Sequence, residues 1–110
     1  MVLANDFSET PDFHVVVDVT AQPPSVTVSG ELDLVTCAPF RDALAEAIEV
    51  SDATVAVDFR RLTFLGSTGI RELVRALQTV DRIEVHSPAP IVRRALETAG
   101  LGNNLVIVGD

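Results

Sequence analysis

The chain contains no lysine, no tryptophan and no tyrosine, and a single cysteine among its 110 residues. Each shortage removes a class of function. One cysteine, Cys37, cannot make an intramolecular disulfide framework or a cysteine-rich zinc site. Five phenylalanines are the whole aromatic complement, a poor basis for the stacking platform that single-stranded nucleic acids need. The eight basic side chains are all arginine and are set against sixteen acidic ones, for a formal net charge of −8. Neither nucleic acid, which needs a basic footprint, nor an anionic membrane surface is an expected partner. An acidic protein is better matched to a protein with basic patches. No apolar run approaches the roughly 18 residues of a membrane helix. The opening MVLANDFSET lacks the basic-then-apolar order of a secretory leader, so the expected location is the cytoplasm.

What is present is a core for one domain, since 47% of the residues are hydrophobic. Residues 1–12 are polar and patternless and are expected to form a flexible tail. FHVVVDVT (13–20) is β-branched and predicts a strand, Gln22-Pro23-Pro24-Ser25 a turn, and SVTVSGELDL (25–34) a second strand completing an antiparallel hairpin. Thr36 stands at the N-cap of a helix over 37–50, with Phe40, Ala43, Leu44, Ala47 and Ile48 on its apolar face. TVAVDF (54–59) predicts a third strand. Beyond FLGSTGI (64–70), Ile70, Leu73, Val74 and Leu77 predict a second amphipathic helix with Arg71, Glu72, Arg75 and Gln78 outside. RIEVH (82–86) is a fourth strand, Ser87-Pro88 opens a third helix that Gly100 ends, and LVIV (105–108) is a last strand. The order β-β-α-β-α-β-α-β predicts an α/β fold with a central, partly parallel sheet.

Few residues are placed for chemistry. His14 and His86 have no second ligand at helical spacing, and HExxH is absent, so no metal is expected. Gly66-Ser67-Thr68-Gly69 lacks the GxSxG order of a hydrolase elbow, and no lysine is available for a Walker loop. Cys37 at a helix start reads as a small buried hydrophobe ahead of a reactive thiol. Ser67 and Thr68, between glycines at a strand-to-helix junction, can cap the helix, carry a phosphate or bind one, and weak nucleotide binding belongs to the last of these. No capping box supports the first role, because Arg71 and not Glu or Gln follows Thr68 at the third position.

Three segments carry a family likeness: VTVSGELDLVTCAPFRDALAEAI (26–48), VAVDFRRLTFLGSTGIRELV (55–74) and IEVHSPAPIVRRALETAGL (83–101). In order and spacing they resemble the STAS domain of the anti-sigma factor antagonist (anti-anti-sigma) family. The resemblance implies a STAS fold over 13–110, a single mixed β-sheet of about five strands with helices packed against it. It also implies a protein that is not an enzyme, carries no cofactor and works by contact. Such antagonists bind an anti-sigma factor that is also a serine kinase, release the sigma factor, and are switched off by phosphorylation at the start of the second helix. That position falls on Ser67, with Thr68 the lesser candidate. Asp33, Gly66, Ser67, Thr68, Gly69 and Arg71 are then the partner-binding residues. The chain departs from the family in having Gly66 where an aspartate is usual, and Arg60 and Arg61 where small polar residues are more frequent. The alternative from the same resemblance is an unphosphorylated STAS accessory subunit of an ABC lipid-transport or sensory complex.

Overall fold

Alternating valines and a proline break start the sheet. In the computed structural model, which describes residues 4–6 and 12–109, strands β2 (His14–Asp18) and β3 (Ser25–Leu32) pair antiparallel on either side of Pro23-Pro24. Every second side chain, Val15, Val17, Val26 and Val28, enters the core. A three-residue strand, β1 (Ala4–Asp6), lies on the outer edge of β2 where a loose tail is expected from the sequence. Edge pairing runs through main-chain groups and needs no apolar alternation, so no pattern announced it. The rest of that expected tail, 1–3 and 7–11, lies outside the described residues.

Helices and strands then alternate: α1 (Cys37–Val50), β4 (Thr54–Leu65), α2 (Ser67–Leu77), β5 (Arg82–His86), α3 (Pro90–Ala99) and β6 (Leu105–Val108). The strands lie in chain order across one mixed α/β sheet, antiparallel from β1 to β3 and parallel from β3 to β6. The five expected strands are all there, with the short edge strand added. β4, however, runs on to Leu65 instead of stopping at Phe59. Two register slips against β3, at Thr27/Ser29 and Gly30/Glu31, carry the pairing as far as Leu32 opposite Leu65. Arg60 and Arg61 therefore stand exposed on a strand.

The helices cover one face: α1 packs on β2, β3 and α2, and α3 on β4. Phe40 of α1 meets Phe59 of β4 with ring centroids 6.1 Å apart at 48°, both fully buried. Each such side chain contributes roughly 1.5–3 kcal/mol through its removal from water.

α2 is rotated relative to its hydropathy pattern. Gly69, Glu72, Leu73 and Ala76 are buried, and Val74 is 39% exposed. The cause is Gly69: a Cβ there would lie 2.8 Å from the side chains of Leu32 and Leu65, so the helix approaches the strand ends most closely at this glycine. Glu72 turns into a groove of about 180 Å³ between α1 and α2, where its carboxylate lies 3.7 Å from the Arg75 guanidinium. Ser67, Arg71, Val74 and Gln78 consequently face outward.

Candidate functional site

Parallel strands that end together bring their following segments together. Glu31 stands opposite Phe64 and Leu32 opposite Leu65, and the Gly66 N–H donates to the Leu32 carbonyl at 2.8 Å. The β3–α1 loop and the start of α2 thus adjoin at the carboxyl ends of the strands, the usual location of binding sites in α/β sheets.

Asp33 ties the loop. Its Oδ1 accepts the N–H of Val35 at 2.9 Å and of Thr36 at 3.2 Å. The Thr36 hydroxyl accepts the Asp33 N–H at 2.9 Å and donates to the Glu31 carbonyl at 2.7 Å. Thr36 occupies the N-cap position of α1 as expected but does not cap it; its side chain makes no bond to the helix amides, because it is committed backward to the loop. The strap holds Leu34 and Val35 outward, 76% and 80% exposed. Asp33→Asn keeps an oxygen that can accept both N–H groups and is expected to unfold in urea within about 0.5 kcal/mol of the parent, whereas Asp33→Ala is expected to lose about 1 kcal/mol. Faster amide exchange at Val35 and Thr36 in the alanine variant alone would accompany that difference. Equal urea midpoints would show that the strap does not hold the loop.

Beside the loop lies an open groove of about 600 Å³, lined by Asp12, Glu31 and Asp33 together with Val35, Thr36 and Thr63. The Thr63 hydroxyl donates across it to the Gly30 carbonyl at 3.0 Å. Phe64 is exposed next to the start of α2.

The hydroxyl pair does not cap α2. The N-cap is Gly66, Ser67 is the first helical residue, and no side-chain cap bond forms. Capping needs an acceptor oxygen one residue earlier, where glycine has none. The Ser67 side chain is exposed. Thr68 is half-buried, and its Oγ1 is enclosed with no hydrogen-bond partner among the described residues. Gly66 has an ordinary extended backbone (φ −88°, ψ 174°), so its conformation does not demand glycine. A Cβ there would meet the Phe64 ring at 3.2 Å and the Leu32 carbonyl at 3.4 Å, and the exposed ring can give way. Arg71, one turn further along α2, is exposed and has no acidic partner among the described residues.

Five of the expected site residues, Asp33 and Gly66 to Gly69, therefore meet at one end of the sheet, with Arg71 a turn beyond. Leu34 and Val35 on the β3–α1 loop and Phe64 at the end of β4 are exposed on these adjoining segments and were not among the expected residues. Their only signal in the sequence is an apolar pair directly before a helix start. The other chemically active groups lie elsewhere. His86, on β5, holds the Glu84 carboxylate at 3.1 Å and pairs in register with Asp58, far down β4 from Ser67. His14 is on β2, and the Cys37 thiol is 3.6 Å from the Leu34 carbonyl. Among the described residues, no three His, Cys, Asp or Glu side chains are grouped to hold a metal, and no helix is long and apolar enough to cross a membrane.

Fold and site together define a small α/β module with helices on one face and a mixed apolar and polar surface at the strand ends. The family described as "Mlab, STAS domain" matches residues 15–108, and the chain belongs to the STAS domain family. A curated relative is the anti-sigma-F factor antagonist RsfB of Mycobacterium tuberculosis, 25% identical over 79 residues, in each of two strains. That match covers 69% of this chain and 65% of RsfB, so the chain spans just under two thirds of the relative's length. Among solved structures, an anti-sigma factor antagonist from Mycobacterium paratuberculosis superimposes with a TM-score of 0.76 at 25% identity, covering 91% of this chain and 89% of that one. The antagonist SpoIIAA in its unphosphorylated form shares the fold, with a TM-score of 0.67 at 23% identity over 86% of this chain and 87% of its own.

Proposed function

We propose that this chain is an anti-sigma factor antagonist that binds an anti-sigma factor with serine-kinase activity, frees the sigma factor, and is switched off by phosphorylation of Ser67. The observation that carries the reading is the position of Ser67: an exposed hydroxyl at the first residue of α2, beside the exposed apolar Leu34, Val35 and Phe64. The antagonist names of the relatives support it. In the transfer, the γ-phosphorus of ATP bonds to the Ser67 oxygen as its bond to the ADP oxygen breaks, and the hydroxyl proton passes to a base on the kinase. The chemistry is the kinase's, and this chain contributes only the acceptor.

The product carries a charge of about −1.5 to −2 where the free hydroxyl had none. Unpaired amides of the first turn and the helix dipole accept that charge, so the fold persists. A partner packed over the same surface would have to desolvate it, and a loss of about 3 kcal/mol already lowers affinity more than a hundredfold. After incubation with ATP and each anti-sigma kinase of its own genome, phosphosite mass spectrometry is expected to find one phosphate, on Ser67, made by one kinase. The enclosed oxygen of Thr68 makes it the poorer acceptor. A phosphate on Thr68 would move the switch by one residue. None with any kinase would favour the second reading, an unphosphorylated accessory subunit of a transport or sensory complex, which Gly66 in place of the usual aspartate supports.

A further inference from the structure

The geometry points to Arg71 as the internal counter-ion of a phosphate on Ser67, so that modification closes an ion pair within α2 and withdraws the arginine from the partner surface. This inference rests on the proposed phosphorylation of Ser67. Both side chains are exposed on one continuous helix, four residues apart. That spacing sets one above the other with Cβ atoms about 5–6 Å apart, and the anion lies on the N-terminal side, the better of the two orientations.

Arg71 is short of negative charge. Arg75, Arg82 and Arg93 each have a carboxylate within ion-pair distance; Arg71, like Arg41, Arg60, Arg61 and Arg94, has none among the described residues, and of these five Arg71 alone shares α2 with Ser67. On its own helix the positions three and four residues away are Thr68, Val74, Arg75 and Ser67, of which Arg75 repels it. The Glu72 carboxylate is turned into the α1–α2 groove toward Arg75. Ser67 is the exposed hydroxyl through which a charge can reach Arg71. A guanidinium can meet two phosphate oxygens at once, so the pair also fixes where the phosphate lies. The unmodified protein then offers a partner a free cation, and the modified one offers a neutralised, occupied turn.

The test uses the full chain with phosphoserine installed at position 67 during translation, so neither kinase nor partner is required. The second ionisation of the phosphate is followed by phosphorus NMR across pH 4 to 8 in the parent, Arg71→Lys and Arg71→Gln. Pairing favours the dianion, so the parent is expected to titrate roughly 0.2 to 0.4 pH units below Arg71→Gln, with Arg71→Lys between them. Molar salt should close the gap. Coincident midpoints in the parent and Arg71→Gln would overturn the pair while leaving a phosphorylation switch intact. Failure of every kinase to modify Ser67 would overturn the switch and leave this titration unchanged. Unmodified Arg71→Gln should melt with the parent, since the exposed arginine has no ion-pair partner among the described residues to lose.

Discussion

Replacing Gly30 with alanine is expected to lower the unfolding free energy by roughly 3 to 5 kcal/mol, as read from urea denaturation. Two independent costs add. Gly30 sits at φ +103°, a region that L side chains rarely adopt, and a Cβ there would fall on the Asp12 carbonyl oxygen and 3.3 Å from the Phe13 Cα. Backbone cannot swing aside as a flexible side chain can. Gly30 also lies at the second register slip between β3 and β4, and its carbonyl accepts the Thr63 hydroxyl, so relief by local movement would break the pairing that aligns the strand ends. Gly66→Ala is the control. Its backbone is extended and its nearest obstacle is an exposed ring, so it should cost less than about 1 kcal/mol. Equal losses in the two variants would mean that neither the positive φ nor the close approach matters.

Elements bounded by strong breakers were legible in the sequence. α1 at 37–50, β5 at 82–86 and β6 at 105–108 fall where periodicity and flanking residues put them, and Gly100 takes the left-handed conformation (φ 63°) that ends α3. The second half of β4 was not legible. Its two bulges place Arg60 and Arg61 consecutively in solvent, which destroys the period of two that marks a strand. The rotation of α2 was hidden for another reason. Hydropathy ranks Val74 above Glu72 and gives glycine no weight, yet the missing Cβ of Gly69 decides which side of the helix touches the strand ends.

The candidate site was legible in position and not in detail. A glycine-flanked hydroxyl pair at a strand-to-helix junction, and an aspartate ending the GEL run, are both visible as residues. Their roles follow from geometry that a residue list lacks: Thr36 turns backward to Glu31, and the N-cap of α2 falls on Gly66, so the helix begins at the first hydroxyl. Leu34 was lost because an aliphatic after an alternating run reads as more strand, and Val35 had no pattern to mark it between that strand and Thr36. β3 instead ends at Leu32, where Asp33 draws the chain into its turn.

That turn leads to the functional expectation with the largest effect. The double variant Leu34→Ser, Val35→Ser is expected to weaken binding to the proposed anti-sigma partner by about a hundredfold or more, with thermal stability unchanged. In the free protein both side chains are already mostly in water, so their loss removes little folding energy. In a complex centred on Ser67 and Phe64 they would be the apolar groups held furthest outward. Burying one Val or Leu side chain is worth roughly 1.5 to 3 kcal/mol, and two together exceed the ~2.7 kcal/mol of a hundredfold change. Val50→Ser provides the comparison. It removes a less exposed aliphatic (50%) from the far end of α1, which at 14 residues is about 20 Å away along the helix axis. Calorimetric titration of the partner into all three proteins separates the cases. Loss confined to the double variant places the contact on the Asp33 loop, whereas undiminished affinity there would remove that loop from the interface and leave α2 to carry it.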